Sequence, residues 1–469
     1  MRMGVGQDSA VRVLRIPIAD SCAEIFAVLL FVPLLLSVAI WNGFPLIFYD
    51  TGAYILQGLG RVFVVERSPV YSLFLSYGGG GESLWFIAII QAFLTAFVIV
   101  ETARCVAPKM WIGAFAAVAV ALAIVTGLPW YAGQIEPDCF TALTALCTYL
   151  LAFHSRDLGR TRVSAIFATA AFAAATHPSH ILLIVGLVLL VAAFKIVSIA
   201  RNGAAGLRLS NLALPLMSAI LAVALTFAAN YSLTGKLFFN RAGSVFVFAS
   251  MLQDGLVDRL LADTCPQSGY NLCVYKDELP KTAEQWLWFP DSPFAALGHF
   301  DGTASESQRI VNDILTRYPG GFFLSTIKDT AEQLIDFRTG DQIEPQEWAL
   351  HGSLIRFIPN QMAAYMSARQ QQGDIGFHYV NDVHWPVAAL GQIGALAALV
   401  MMVRRRRWNS AIFLGFTLAA LLGNALICGA LSNPHDRYQS RLVWLPVFAL
   451  ALLGTDGRFS LRDHAESGT

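Results

Sequence analysis

The sequence predicts an all-α integral membrane protein with about ten transmembrane helices and a largely helical periplasmic domain inserted before the last three spans. Three observations carry this. Of 469 residues, 56% are hydrophobic and 14% charged, where a soluble domain carries about 25% charged residues. The apolar residues are gathered into blocks almost free of charge, long enough to cross about 30 Å of hydrocarbon as helices. One segment, 231–383, is too polar for membrane and too long for a simple loop. The formal net charge is zero, so there is no electrostatic case for nucleic acid.

In chain order, hydropathy places spans at 22–41, 84–103, 110–128, 139–154, 163–176, 181–199, 212–230, 384–403, 410–431 and 441–455. The first block reads as a retained span, because the bulky Trp41-Asn42-Gly43-Phe44 follows it in place of a small-residue cleavage site. Gly78-Gly79-Gly80-Gly81 reads as a link into the second span; no Lys-Ser/Thr accompanies it, so it is no phosphate loop. The chain divides into an N-terminal transmembrane region (1–230), a periplasmic or interfacial domain (231–383) and a C-terminal transmembrane region with a cytoplasmic tail (384–469). Within the middle region, Ser305–Tyr318 has helical apolar spacing and stops at Pro319-Gly320-Gly321. A second amphipathic run, 322–337, offers Phe323, Ile327, Leu334 and Phe337 as a stripe facing membrane or core. Such helices commonly lie in the interface plane.

Basic residues set the orientation. Arg2, Arg12 and Arg15; Arg104 and Lys109; Arg156, Arg160 and Arg162; Arg201 and Arg208; Arg404 to Arg407; and Arg458 and Arg462 all fall on one side of such a ladder. That side is the cytoplasm, with both termini in it. The acid- and His-bearing connectors then converge on the opposite face: Asp50, Glu66 and Arg67; Glu136-Pro137-Asp138; His177-Pro178-Ser179-His180; and His435-Asp436-Arg437-Tyr438.

Each of these has a structural and a chemical reading. Asp50, in Phe48-Tyr49-Asp50-Thr51-Gly52-Ala53-Tyr54, can cap a helix starting at Thr51, or act as a general base beside the membrane with Tyr49 and Tyr54 lining the site. Glu136 and Asp138 can likewise cap the fourth span, or join Asp50 in dividing acid and base roles or in holding a divalent cation such as Mg or Mn. In His177-x-x-His180, Pro178 is expected to break the helix that would aim both rings together; a hydrogen bond to phosphate or hydroxyl suits one ring better than a metal. Arg437 and Arg441 open the last span, where an Arg can snorkel to the interface or grip a lipid phosphate. Cys265 and Cys273 share a polar loop and can form a short disulfide if it faces an oxidising compartment. The other five cysteines lie in or beside spans as small hydrophobes.

The pattern resembles the polytopic type-C glycosyltransferases, including the protein mannosyltransferases and the lipid A aminoarabinose transferases. Phe48-Tyr49-Asp50-Thr51-Gly52-Ala53-Tyr54 is similar to that family's first outer loop with its functional Asp. Glu66-Arg67-Ser68-Pro69-Val70-Tyr71 looks like its Arg-Pro-Pro-like turn with a following Tyr. Glu136-Pro137-Asp138 resembles its acidic second outer loop, and Arg437-Tyr438 through Pro446 its late Arg-Tyr element. The chain departs from the family in having no Asp-Glu pair at Asp50 and in carrying its large polar region internally.

The resemblance implies inverting transfer of a sugar from a polyprenyl-phosphate donor to a lipid, glycan or protein acceptor of the envelope, at the outer face of the bacterial inner membrane. Asp50, Glu136 and Asp138 would supply the chemistry. Tyr54, Glu66, Arg67, Tyr71, His177, His180, His435, Arg437, Tyr438 and Arg441 would bind substrate or lipid phosphate. Two other classes stay open. A transporter or flippase would carry ionisable residues at mid-span, where Gln91 and Lys195 are the main exceptions, Lys195 being able to reach the cytoplasmic interface. A non-catalytic scaffold of envelope biogenesis would need none of these groups.

Overall fold

A computed structural model of the chain describes residues 18, 21–202, 209–346 and 349–455; Arg2, Arg12, Arg15, Arg208, Arg458 and Arg462 lie outside the described residues. Among the described residues the protein is all-helical, with one isolated bridge between Leu46 and Gln134. A helix stands at each predicted span. Six are long and apolar enough to cross a membrane: Ser21–Asn42, Leu84–Val106, Pro178–Val197, Ala213–Thr234, Phe377–Arg404 and Trp408–Leu431. The remaining four, Ile112–Val125, Cys139–His154, Arg160–Ala175 and Trp444–Thr455, are shorter, below the roughly 20 residues a perpendicular crossing needs. Cys139–His154 is enclosed by protein, with every residue from Cys139 to Ala152 buried.

Long spans turn exposed apolar faces outward, with Leu189, Ile220, Leu390 and Ile393 each more than 60% exposed. In a membrane protein that is the lipid-facing surface. Their inner faces merge into one large core, which also takes in Phe337, Leu354, Ile358, Tyr365 and Ala368. A second core, running from Ala242 to Ile314 and centred on Phe248, Trp286 and Phe294, stands apart from it. The 231–383 segment therefore does not share one core. Cys265 and Cys273 are disulfide-bonded at the edge of the second core.

The amphipathic helices of the middle region form as His299–Arg317 and Pro319–Ile335. The second packs against the Trp408–Leu431 span. Gly429 permits this: a Cβ there would stand 2.7 Å from the Thr330 nitrogen. The expected stripe splits, because the helix ends at Ile335. Phe323 and Ile327 stay exposed, while Phe337, beyond the helix end, is buried and stacks on Trp385.

Two ends of the bundle are chemically distinct. At one end Ile18 bonds to Met110, Thr455 reaches the Met110 sulfur, and Arg162 joins Glu24 and Glu101. At the other, the connectors carrying Asp50, Arg67, Glu136, Asp138, His177 and Arg437 come together.

Candidate functional site

The first loop is a pair of short helices, Thr51–Gly60 and Pro69–Tyr77. Gly58 lets them meet, since a Cβ there would fall 2.2 Å from the Ser72 carbonyl oxygen. Buried Gln57 holds the turn between them: it accepts from the Val64 N–H at 2.8 Å and donates to Ser72 Oγ at 3.0 Å and to the Arg67 carbonyl at 3.4 Å. That clasp fixes Arg67, whose Nη2 donates to Asp50 Oδ1 at 2.5 Å. Asp50 does stand at the N-cap position, yet its side chain makes no capping bond. The guanidinium outcompetes the backbone N–H groups, because a charge-assisted bond is about twice as strong as a neutral one.

The capping reading fails for Asp138 as well. It occupies the N-cap of Cys139–Tyr149 without a side-chain cap bond. Its Oδ1 accepts instead from Arg441 Nη1 at 2.6 Å, and its Oδ2 lies 3.6 Å from Arg437 Nε. Neither arginine snorkels. Arg441 is 1% exposed and its other terminal nitrogen donates to Asn424 Oδ1 at 3.2 Å. Arg437 lies over the Phe48 ring at 4.0 Å, and its backbone N–H is held by Asp341. Burying an ion pair is costly unless geometry and further bonds compensate, and Asn424 together with the aromatic faces of Phe48 and Tyr438 supplies those partners.

Glu136 sits between these two pairs, 2% exposed, with Oε2 unpartnered. Burial first, and the nearby Asp50 charge second, hold its carboxyl well above the usual carboxylate range. Three carboxyl groups and three guanidinium groups thus meet around one locus. Unpartnered buried atoms gather there too: Arg67 Nε, Glu136 Oε2, Asp138 Oδ2, Arg437 Nη1 and Arg441 Nε. Buried polar atoms are ordinarily bonded; a smaller group of three, Glu24 Oε2, Glu101 Oε2 and Arg104 Nε, lies at the opposite end of the bundle.

The other candidates divide. Tyr54 is buried, its ring 4.8 Å from Tyr71 and its hydroxyl pushed up by burial and by Glu136. Tyr71 is turned inward, donating to Gln91 Oε1 at 2.7 Å, while Gln91 donates to the Gln134 carbonyl. Gln91 is therefore a tie between a span and two loops. Pro178 starts the Pro178–Asn202 helix, so it does not break one, and the two rings stand 5.4 Å apart. His180 has both nitrogens engaged, by Thr141 and by the Ala173 carbonyl. His177 bonds Ser179 at 2.7 Å; burial, His180 and the arginines push its pKa well down, leaving the ring neutral. His435 faces Asp341 at 3.7 Å, with Tyr438 beside it. Glu66 adds negative charge next to Arg67.

Among the described residues, no three His, Cys, Asp or Glu side chains come together as a metal-ligand set. Asp50 and Asp138 are each turned to arginine, so the donors present do not fit a divalent cation. A cavity of about 40 Å³ lies away from this locus, inside the second core beside Trp286 and Glu306, with room for a few waters.

Several contributors are absent from the sequence reading. Gln57, Asn424 and Asp341 position the charged groups, and Gln370 ties Ile47 to Glu344. Trp288, too, stands over Arg67, and Glu344 accepts from Tyr49, a residue the sequence does place beside Asp50. An isolated Gln or Asn carries no spacing signal that would reveal such roles. At the opposite end of the bundle, Glu24, Glu101, Arg104 and Arg162 form a second charged cluster, with Glu101 fully buried. Lys195 is buried, its ammonium 5.6 Å from the Phe153 ring. Comparison with protein-family models, with curated proteins and with solved structures finds no match to this chain.

Proposed function

We propose that this membrane protein is a glycosyltransferase, moving a sugar from a polyprenyl-phosphate carrier to an envelope acceptor at the periplasmic face of the bacterial inner membrane. The observation that carries the reading is the meeting of Asp50, Glu136 and Asp138 with Arg67, Arg437 and Arg441 at one end of the apolar bundle. Such a locus can hold an anionic leaving group and accept a proton within reach of a lipid headgroup. In the reaction, the acceptor hydroxyl oxygen bonds to the anomeric carbon as that carbon's bond to the phosphate oxygen breaks. The electron pair leaves with the phosphate, and the hydroxyl proton passes to Asp50. Arg67 and Arg437 would offset the growing phosphate charge, because fixed positive charge stabilises a leaving phosphate in the transition state. Glu136, held neutral, would donate a hydrogen bond. Arg441, whose fork is occupied, would position Asp138. No step runs through a divalent cation. The Cys265–Cys273 bond supports an oxidising compartment for the middle region.

A transporter is the second reading, favoured by Glu101, a fully buried carboxyl on the Leu84–Val106 span. Ionisable groups inside spans often mark pathways.

The test compares envelope lipids and glycans from strains with and without the protein, complemented by wild type or Asp50→Asn. Accumulated lipid-linked sugar and a missing envelope sugar, restored by wild type alone, are expected. Loss of the base should cost about 10²-fold or more in rate. Full rescue by Asp50→Asn at equal abundance would overturn the assignment of the base, and an unchanged glycan profile the reaction itself.

A further inference from the structure

The helix Ala283–Trp288 belongs to the second core, yet one of its faces serves the charged locus. Ala283, Trp286 and Leu287 point inward; Trp286 is 1% exposed and packs on Phe248 and Phe294. Thr282 caps the helix by accepting from the Gln285 N–H, and Gln253 accepts from the Ala283 N–H at 3.0 Å. The helix is therefore rigidly anchored. Residues four apart share a helix face, so the inward set leaves Glu284 and Trp288 together on the outer one, and both are exposed. That face looks toward the locus. The Trp288 ring centre is 5.7 Å from the Arg67 guanidinium carbon, while the Glu284 carboxylate acts electrostatically on both Tyr49 and His435. Tyr49, 43% exposed, adjoins Asp50 in the chain.

We infer that Glu284 and Trp288 form a carbohydrate-binding wall over the Asp50–Arg67 pair, a reading that rests on the glycosyltransferase function proposed above. An indole left 48% exposed above a charged floor offers an apolar surface to the C–H face of a pyranose ring. A carboxylate one helical turn away, about 5–6 Å between Cβ atoms, is spaced to accept a hydroxyl hydrogen from the same ring. Tyr49 adds a second exposed ring next to Asp50. The second core thereby selects the sugar-bearing substrate, and the membrane bundle supplies the reactive groups.

The experiment adds purified full-length protein to membrane vesicles from the deletion strain, which hold both donor and acceptor. Sugar incorporation is followed as the vesicle concentration varies. Trp288→Ala is expected to raise the vesicle concentration for half-maximal rate about tenfold, with the maximal rate and melting temperature held. Trp288→Phe should recover most of that loss, and Glu284→Gln should raise the half-saturation value severalfold. Wild-type half-saturation in Trp288→Ala overturns the wall. So does a fall in maximal rate and melting temperature without a change in half-saturation, which would make Trp288 a cover for Arg67 alone. Failure of wild-type protein to incorporate sugar falls on the proposed reaction, and is read from the wild-type arm without any variant.

Discussion

Arg441→Met should be among the most destabilising single substitutions in the bundle. Arg441 is 1% exposed, and its partner Asp138 accepts at 2.6 Å while itself 3% exposed. Removing one member of a buried pair leaves an uncompensated charge and typically costs about 3–5 kcal/mol. Arg437, 3.6 Å from the other Asp138 oxygen, keeps part of that charge balanced, so a value near the lower end, about 3 kcal/mol, is expected. Asp138→Asn should cost at least as much, because it leaves Arg437 and Arg441 without the carboxylate between them. The double variant Asp138→Asn/Arg441→Met should cost less than the sum of the singles, with a coupling of about 0.5–3 kcal/mol. Reversible unfolding in mixed detergent–SDS micelles, across the four-member cycle, measures each term. A cost for Arg441→Met below about 1 kcal/mol, the range of an exposed pair, would refute the claim that this pair is sealed from solvent. Simple additivity would refute their direct coupling.

Three further outcomes are expected. Gly429→Ala should destabilise by about 1–3 kcal/mol, since its Cβ would stand 2.7 Å from the Thr330 nitrogen; the same micelle unfolding reads it, and an unchanged midpoint would show that the Pro319–Ile335 helix can move off the span freely. Cys265→Ser, which opens a loop of sequence separation 8, should cost about 2–3 kcal/mol by chain entropy, and alkylation of wild type without reductant should leave Cys265 and Cys273 unlabelled. Asp329, raised to about 6 by burial and then by Asp254, with Lys328 opposing and Glu332 nearby, should give a pH-dependent stability. A carboxyl raised on folding stabilises below its unfolded value and loses that contribution as pH rises through about 6. Melting of wild type should therefore fall relative to Asp329→Asn between roughly pH 4 and 6, and level off above that; parallel curves would remove Asp329 as the cause.

How much of this was legible beforehand follows from what each level of the chain encodes. The helices were readable because hydrocarbon demands runs of apolar residues with no charge, and a helix stands at each place the sequence indicated. The disulfide pair was narrowed to Cys265 and Cys273 by their shared polar loop, and the structure joins them. Local propensity also put Asp50 and Asp138 at helix starts, and they do stand there. Where their carboxylates turn was not readable. That depends on Arg67, seventeen positions away, and on Arg441, 303 positions away, and a charged donor at bonding distance prevails over a helix's own N–H groups. Glu101 was hidden because its span stays apolar on average around it; Arg104 meets it from the same helix three positions on, but only the packing of three helices brings Glu24 and Arg162 to them. The four short helices show the same limit: composition marked them as apolar, and only enclosure by neighbours explains a buried helix such as Cys139–His154. The sequence by itself determined where helices form and which residues are too polar for lipid. Tertiary structure alone decided which of those residues meet, because a buried charge is tolerable only beside a specific partner, and the chain brings such partners together only by folding.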